Sequence, residues 1–281
     1  MAEEEETVRL ERLEGGVALV TLNRPRAYNA FTAAMFHRLA GIFRQLREEE
    51  GGGACRVAVL TGEGKAFSAG VDLTAAGDVF TSDGDDLEND VVHQMELCPF
   101  PIIGAVNGHA VTAGFEVSLA CDILLASTAA VFIDTHCKFG IMPSWGLSQK
   151  LPRLVGAPEA MPTYPECPAA CSRPGGRRAG ANRAREASLS AMPIDAPTAL
   201  SWGLVSRVVE PAALLPDALA LATRIASLHQ PVVRGYKQVI NEGLGMTGAE
   251  GRTMERARAF AYYKSFTPGD FARMKAFIEG R

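Results

Sequence analysis

The sequence lacks a long apolar run, an excess of basic residues and a regular pattern of paired cysteines. No stretch reaches the ~18 consecutive apolar residues that a membrane-spanning helix needs. Lys and Arg number 28 against 32 Asp and Glu, which gives a net charge of −4. This balance argues against a nucleic-acid-binding surface, because such surfaces are basic. What remains is an ordinary globular composition, with 47% hydrophobic and 21% charged residues.

The six cysteines are scattered along the chain, which predicts reduced thiols in a cytosol-like compartment. Cys167 and Cys171 are the closest pair, and no second pair of ligands lies nearby in sequence, so we expect no zinc site. The first residues, MAEEEE, are acidic, which is atypical of secretory signals and transit peptides. The last three residues are not an SKL-type peroxisomal address. From these features we expect a cytoplasmic protein.

Apolar patterns in the first two thirds of the chain predict alternating strands and helices. Residues 8–13 and 17–22, joined by a glycine-containing turn, are typical of a β-hairpin. Further buried strands are predicted at 55–62, 102–106 and 122–126, and helices at 32–48 and 86–98. The alternation favours an α/β fold layered around a largely parallel sheet.

The last quarter of the chain differs in composition from the rest. Helices are predicted at 211–228, 231–242, 248–264 and 268–279. We therefore place a boundary near residue 210, between a core of residues 1–210 and a C-terminal helical region of residues 211–281. Residues 158–181 are crowded with Pro, Gly and Ala and show no apolar periodicity, so they predict an irregular loop inserted in the core.

A single carboxylate, Glu116, stands between two apolar segments in IIGAVNGHAVTAGFEVSLACDILLAS, residues 102–127. A strand that runs through a glycine-marked turn into a helix leaves backbone N–H groups without partners, and these can hold an oxyanion. His109 to Gly114 are predicted to form that helix entry, with Glu116 in the first turn, facing the same cavity. The alternative is that Glu116 only complements the helix dipole. GKAFSAGVDL, residues 64–73, follows a neighbouring strand and supplies a second set of donors, so a two-donor oxyanion hole is predicted.

Five segments resemble the crotonase, or enoyl-CoA hydratase/isomerase, family, and they follow the family's order over most of the chain. They are VALVTLNRPRAYNAF (17–31), VAVLTGEGKAFSAGVDL (57–73), PIIGAVNGHAVTAGFEVSLACDILLAS (101–127), FGIMPSWGLSQKLPRLVGA (139–157) and NRAREASLSAMPIDAPTALSWGLVSRVV (182–209). The resemblance implies a crotonase-like spiral of ββα repeats, followed by a C-terminal helical oligomerisation region that assembles trimers or hexamers. The aromatic stretch Phe260, Tyr262, Tyr263 and Phe266 in that region is larger than one helix face can hide, which also favours a homo-oligomer.

The resemblance also assigns roles to individual residues. It places the two oxyanion donors at the backbone N–H groups of Val71 and Ala113, where the family often has glycine at the second position. Glu116 matches the first of two glutamates that hold and deprotonate water. His136 stands where many hydratases carry the second glutamate. Positions that bind coenzyme A or substrate are implied at Arg26, Ala27, Lys65, Ala66, Ala69, Asp72 and Leu73.

The replacement of the second glutamate by His136 leaves two interpretations open. The imidazole could take the place of the missing acid, because histidine exchanges protons near neutral pH. It could equally line the pocket and leave Glu116 as the only acid/base group. The family member implied first is an enoyl-CoA hydratase, which adds water across a 2-enoyl-CoA through a thioester enolate. The alternatives are an enoyl-CoA isomerase that uses Glu116 as sole base, and a non-catalytic acyl-CoA-binding member.

The resemblance further implies what the protein needs and where it works. No metal, nucleotide or flavin cofactor is expected, because coenzyme A is part of the substrate. The expected partners are an acyl-CoA thioester and further copies of the chain, with no nucleic acid and no membrane. A peroxisomal or mitochondrial site is the family-based alternative to the cytoplasm.

Overall fold

The computed structural model describes residues 6–49, 54–74, 77, 86–156 and 176–279. The chain divides into two compact units, residues 1–230 and 231–281. The first unit contains every strand of both sheets described below. The second unit is helical.

Two sheets form the framework of the first unit. The main sheet has the order β1-β2-β3-β5-β7-β10, and the second sheet has the order β4-β6-β8-β9. The main-sheet strands are β1 (Val8–Leu13), β2 (Val17–Leu22), β3 (Val57–Gly62), β5 (Ile102–Val106), β7 (Ile123–Ser127) and β10 (Arg207–Val209). The second sheet consists of β4 (Ala66–Ser68), β6 (His109–Val111), β8 (Val131–Ile133) and β9 (Ile194–Asp195).

Neighbouring strands are parallel except at one edge of each sheet. β1 and β2 form the predicted antiparallel hairpin, and β8 pairs antiparallel with β9. All the remaining pairs are parallel. The predicted α/β fold with a largely parallel sheet is therefore confirmed.

Eleven α-helices lie in the described ranges. In the first unit they are α1 (Ala33–Glu48), α2 (Val91–Glu96), α3 (Ala113–Leu119), α4 (His136–Phe139), α5 (Leu147–Leu154), α6 (Gly176–Ser190), α7 (Ala196–Ser201) and α8 (Pro211–Ala226). Then follow α9 (Gln230–Gly243), α10 (Gly248–Tyr263) and α11 (Pro268–Glu279). Within these ranges no single helix is long and apolar enough to cross a membrane, and α8 and α9 pass such a test only when taken together across a bend.

Helices cover both faces of the main sheet, which explains why its central strands are buried throughout. Every residue of β2 and β3 is buried, as expected for parallel strands with packing on both sides. One face, which includes Val20, shares a core cluster with Leu39 and Phe43 of α1. The other face, which includes Leu19, packs with Leu214 and Ala218 of α8. Because α8 belongs to the sheet, the units divide after residue 230, later than the boundary we predicted near residue 210.

A ββα repeat brings the loops of the second sheet together. In β5-β6-α3 and β7-β8-α4 the first strand joins the main sheet, the second strand joins the second sheet, and a helix follows. β4, β6 and β8 are neighbouring parallel strands, so their carboxyl ends meet at the same edge. The segments that leave these strands, which contain Val71, Glu116 and His136, consequently meet there as well.

Three predicted elements differ from the structure by more than two residues. The helix predicted at 86–98 is limited to Val91–Glu96, because the Asp90 side chain caps it by accepting a hydrogen bond from His93 N at 2.9 Å. The predicted helix entry at 109–114 is wrong in its first half, since His109–Val111 is strand β6. The predicted loop at 158–181 is wrong at its end, because α6 begins at Gly176. Residues 158–175 of that loop lie outside the described part of the chain.

The second unit contains most of α9 together with α10 and α11. Arg258 of α10 donates to both carboxylate oxygens of Glu242 of α9, at 2.6 and 2.7 Å. Thr247 and Glu250 form a capping box at the start of α10. Five aromatic rings contact one another in a chain, with centroids 5.2–6.3 Å apart: Phe260, Tyr262, Tyr263, Phe266 and Phe271. The predicted helical character of this region is confirmed.

Candidate active site

A cavity of about 660 Å³ lies at the edge where the loops of the second sheet meet. It is mainly apolar, with Phe36 of α1 and Trp145 on opposing segments and their rings in edge-to-face contact at 4.7 Å. Glu116 and His136 are the two buried titratable side chains among its described lining residues. This size and this mixture of apolar walls with few polar groups are typical of a small-molecule site.

The backbone N–H groups of Val71 and Ala113 both belong to residues that line this cavity. Phe31 N donates to Gly70 O at 2.7 Å, and Asp72 N donates to Phe31 O at 2.8 Å, so the bridge that holds this turn does not use Val71 N. Ala113 is the first residue of α3 and has no intrahelical acceptor. Neither N–H donates to an acceptor among the described residues. Both donors predicted for the oxyanion hole are therefore free.

A glycine permits the close approach of the two donor segments. A Cβ at Gly114 would lie 2.5 Å from the carbonyl oxygen of Ser68, so only glycine fits where α3 crosses the end of β4. The Ser68 hydroxyl then fixes the turn, because it donates to Asn29 O at 2.8 Å and accepts from Gly70 N at 3.2 Å. This packing holds the turn of Val71 against the start of α3.

Thr112, which precedes Ala113, has an unusual backbone conformation. Its φ of 49° and ψ of −106° lie in a region that a β-branched residue rarely adopts. Its hydroxyl forms a hydrogen bond with that of Thr135 and accepts from Thr135 N at 3.2 Å, while Thr112 N donates to Ile133 O at 2.8 Å. These contacts keep Thr112 in the conformation that gives Ala113 its place in the wall of the cavity. Backbone strain of this kind is concentrated at functional sites.

Glu116 lies in the first turn of α3, as predicted, and its two carboxylate oxygens have different surroundings. Oε1 accepts from Trp145 N at 3.0 Å and from Leu147 N at 3.5 Å. Oε2 faces the Nε2 atom of His136 at 3.6 Å. Burial raises the pKa of Glu116 above its ordinary value, although the charge of His136 and the two N–H donors oppose the shift. A carboxylate with a raised pKa and one oxygen directed at a partner is suited to proton transfer.

His136 is held on its other side by Asp134. Asp134 Oδ1 lies 2.6 Å from His136 Nδ1 and accepts from His136 N at 3.1 Å. Glu116, His136 and Asp134 are 2%, 5% and 3% exposed, so solvent screens these interactions little. Burial acts to lower the pKa of His136, but the hydrogen bond to Asp134 and the charges of Glu116 and Asp134 outweigh it and raise this pKa.

The pKa of Asp134 shifts in the opposite direction. Burial acts to raise it, yet hydrogen bonds from the side chains of His136 and Ser188 bring it below its usual value. Asp134 is thus a carboxylate, and because a carboxylate can only accept, the hydrogen of their shared bond lies on Nδ1 of His136. The structure brings Glu116 and His136 together and adds Asp134 to them. Both interpretations of His136, as a replacement acid and as a pocket-lining residue, stay open on this geometry.

The residues predicted to bind coenzyme A or substrate occupy two adjoining segments, and two of them line the cavity. Those two are Ala69 and Leu73. The other five do not contribute to its walls: Arg26, Ala27, Lys65, Ala66 and Asp72. Their roles in binding stay predictions.

Hydrogen bonds tie these two segments together. Ala69 N donates to Tyr28 O at 2.9 Å, and the Asn29 side chain donates to Ala66 O at 2.7 Å. Asp72 is engaged within the protein, since its carboxylate is 3.2 Å from Arg24 Nη2. Hydrogen bonds from Thr74, and after them Arg24, lower the pKa of Asp72. Asp72 therefore fixes the loop that carries Val71.

Asp134, Thr112 and Trp145 were not among the predicted site residues. Asp134 could have been found, because an acid two residues before a candidate catalytic histidine is a signal in the sequence. Thr112 gave no such signal, since its contribution is a backbone conformation. Trp145 binds Glu116 through its backbone N–H, which every residue except proline possesses.

Within the described ranges no group of three or more His, Cys, Asp or Glu side chains is arranged to hold a metal ion. Glu116, His136 and Asp134 instead contact one another, through Nε2 and Nδ1 of His136. The expectation that no cofactor is needed stays a prediction.

The fold and the site together define a mixed α/β protein in which two free backbone N–H groups and a buried Glu116–His136 pair line one cavity. The chain matches the family model for enoyl-CoA hydratase/isomerase over residues 12–169 and 167–281. It therefore belongs to the enoyl-CoA hydratase/isomerase family, which is the crotonase family to which its sequence is similar.

Individual relatives match over nearly the whole chain. A protein of Arabidopsis thaliana named "probable enoyl-CoA hydratase 1, peroxisomal" is 43% identical over 277 residues, which cover 99% of this chain and 94% of the relative. A Dictyostelium discoideum protein named "probable enoyl-CoA hydratase, mitochondrial" is 32% identical over 95% of this chain and 87% of its own length. The crystal structure of an enoyl-CoA hydratase from Bacillus anthracis superposes with a TM-score of 0.78 at 29% identity, covering 98% of this chain and 97% of that one.

Proposed function

We propose that the protein is an enoyl-CoA hydratase that adds water across the double bond of a 2-enoyl-CoA. The observation that carries this proposal is the pair of buried acid/base groups, Glu116 and His136, at 3.6 Å in the wall of a cavity that also has two free backbone donors. Hydration moves two protons, one away from water and one onto carbon. Two titratable groups at one point are therefore suited to it.

The backbone donors stabilise the charge that the reaction develops. When water adds to C3 of the enoyl group, negative charge moves onto the thioester oxygen as an enolate forms. The N–H groups of Val71 and Ala113 are placed to bind that oxygen, and donors of this kind contribute roughly 3–4 kcal/mol each to the transition state. The apolar wall of Phe36 and Trp145 accommodates the acyl chain. Coenzyme A belongs to the substrate, so the reaction uses no separate cofactor.

An enoyl-CoA isomerase is the second candidate, and a particular observation favours it. Glu116 is the only glutamate that lines the cavity among the described residues. A one-base mechanism, in which Glu116 removes a proton from one carbon and returns it to another, would need no second acid. The family to which the chain belongs includes both activities by its description.

A panel of purified 2-enoyl-CoA and 3-enoyl-CoA thioesters separates these candidates. The hydratase proposal predicts 3-hydroxyacyl-CoA from the 2-enoyl substrates, identified by mass and NMR. Interconversion of 3-enoyl-CoA and 2-enoyl-CoA without a hydroxylated product would favour the isomerase. Thermal stabilisation by acyl-CoA without any turnover would favour a non-catalytic binding protein.

The compartment is a separate part of the proposal. The two relatives carry the words peroxisomal and mitochondrial in their names. We propose one of these two organelles for this chain in preference to the cytoplasm that its sequence features favoured. Fluorescent fusions at each terminus, imaged with organelle markers, test the proposal, and a diffuse signal from both fusions would favour the cytoplasm.

A further inference from the structure

We propose that His136 is the proton donor to C2 of the substrate, and that Asp134 is the positioning residue that fixes its ring for this role. The inference rests on the proposed function as a hydratase. It adds to that function the identity of the acid and the atom that carries the proton. It also adds the proton transfer that returns Glu116 and His136 to their starting protonation states.

The contacts of Asp134 decide which nitrogen of the imidazole reacts. Oδ1 of Asp134 accepts from both the Nδ1 and the backbone N of His136, at 2.6 and 3.1 Å. Ring rotation would break the first of these contacts, so the ring is held with Nε2 towards the cavity. Nε2 lies 3.6 Å from Glu116 Oε2. Oε1 of Glu116 is meanwhile engaged by Trp145 N and Leu147 N, which leaves Oε2 as its reacting atom.

The charges around His136 favour its protonated form. Asp134 and Glu116 are the two charged groups that raise its pKa, against the effect of burial. Ser188 of α6 donates to Asp134 and helps to keep that carboxylate ionised. Other titratable side chains that line the cavity lie on α1, before α2 and on α4, and they are not among the groups that shift this pKa: His37, Asp86, Asp90 and Lys138.

The proton transfers balance over one turnover. Glu116 Oε2 takes a proton from water as its oxygen bonds to C3, and the π electrons of the C2–C3 bond move into the enolate. C2 of the enolate then takes the proton from Nε2 of His136. Glu116 is now protonated and His136 neutral, and transfer of the Glu116 proton to Nε2 restores the starting state. The net change is one water added to the substrate.

The pH dependence follows from these roles. Hydration needs an ionised Glu116, so the rate should fall as the pH drops below the raised pKa of Glu116. It also needs a protonated His136, so the rate should fall as the pH rises above the raised pKa of His136. Asp134→Asn keeps the size of the side chain and an oxygen that can accept from the backbone N of His136, but it removes the negative charge beside the ring. The alkaline limb should therefore move to lower pH.

The first experiment measures kcat against pH for the full-length protein, Asp134→Asn and the control Asp217→Asn. Asp217 is a partly exposed residue of α8 that pairs with Arg207 and does not line the cavity. At neutral pH we expect Asp134→Asn to lower kcat by ~10- to 100-fold, with partial recovery at lower pH, which is the range seen when a hydrogen-bond partner that orients a functional histidine is removed. His136→Gln should lower it by ~10²–10⁴-fold with no recovery. If the fall of kcat at high pH occurs at the same pH in Asp134→Asn as in the unmodified protein, the proposal is overturned.

The second experiment separates positioning from a merely structural role. His136→Glu replaces the imidazole with a carboxylate, on which Asp134 can act only by repulsion. In this background Asp134→Asn should leave kcat unchanged or raise it. An equal loss of activity in both backgrounds would mean that Asp134 supports the fold and does not act through His136.

The third experiment is independent of activity. Imidazole NMR titration of the substrate-free protein, with the His136 signal identified by its loss in His136→Gln, reports the protonation of His136 directly. We expect a pKa above the ordinary value in the wild type and a lower one in Asp134→Asn. If no enoyl-CoA is hydrated, the proposed function fails while this shift is still measurable. Should the D134N protein not fold, a wild-type His136 that titrates at or below its ordinary value overturns the inference.

Discussion

At the scale of single residues, the central feature is that the two carboxylate oxygens of Glu116 make different contacts. Backbone N–H groups hold Oε1, and a histidine faces Oε2. Glu116 could be predicted from the sequence because it is a lone acid between apolar segments. His136 was a candidate partner from the family resemblance. The Trp145 and Leu147 N–H groups that bind Oε1 could not be predicted, because they are backbone groups of a distant segment.

Replacing Glu116 by glutamine tests its role. Gln keeps an acceptor for Trp145 N and nearly the same volume but cannot take a proton, so turnover should fall by ~10²–10⁴-fold. Acyl-CoA affinity and the melting temperature should change little. Steady-state kinetics and a binding titration check this, with Glu11→Gln, at an exposed position of β1, as the matched control. Near-full activity in Glu116→Gln would remove it from the chemistry.

At the scale of secondary-structure elements, the sequence predicted the strands and helices whose formation depends on residues close to them in the chain. The hairpin and α1 match their predicted bounds to within a residue or two, because alternation and helical spacing identify their buried faces. β6 has three residues, which are too few to show the alternating pattern of a strand. Its formation depends on pairing with β4 and β8. The membership of α8 in the first unit likewise depends on its contact with strands more than 100 residues away, which no local pattern contains.

The segment 158–181 was predicted to be an inserted loop, and deletions can test whether it is dispensable. The two ranges of the chain that match the family model, 12–169 and 167–281, overlap within this segment. Its last part, 176–181, begins α6, and Gly180 is buried so closely against α5 that a Cβ there would lie 2.1 Å from Pro152 O. Any shortened chain must therefore keep a glycine at this point.

Deletion of 158–181 should give a protein that folds, assembles and turns over at least as well as the full chain. The deletion joins Gly156-Ala157 to Asn182, which is the same product as deleting 156–179 and keeping Gly180-Ala181, so the required glycine is retained. Loop length alone costs only ~0.6 kcal/mol per doubling, which makes the segment dispensable for stability. Activity, melting temperature and mass in solution are the measurements.

Deletion of 158–175 alone is the matched control, because it keeps all of α6. If it is active and the longer deletion is not, the first turn of α6 is required. Loss of substrate affinity in both deletions, with assembly intact, would make the segment part of the site.

At the scale of the whole molecule, the second unit has several large aromatic side chains that are more than half exposed. Phe260, Tyr263 and Phe271 are 55%, 54% and 60% exposed and belong to one chain of ring contacts. A cluster of this kind on a helical unit is typical of a surface that associates. The site was predicted from motifs, whereas the number of copies in an assembly is not contained in any motif.

We propose that the protein is a homotrimer or a hexamer in solution. Light scattering at micromolar concentration should give a mass of three or six chains. Phe260→Ser combined with Tyr263→Ser should weaken the assembly, because both exposed rings are lost, whereas Leu189→Ser, at an exposed apolar residue of α6, should not. A monomeric mass for the unmodified protein would contradict the proposal.

Hydration of a short 2-enoyl-CoA in ¹⁸O-labelled water shows directly whether this cavity adds water to its substrate. The purified full-length protein should convert the substrate to 3-hydroxyacyl-CoA that carries the label at C3, as read by mass spectrometry, and Glu116→Gln should form this product ~10²–10⁴-fold more slowly. An absence of labelled product at every chain length tested, in a protein that binds the same acyl-CoAs, would contradict the claim that this cavity adds water.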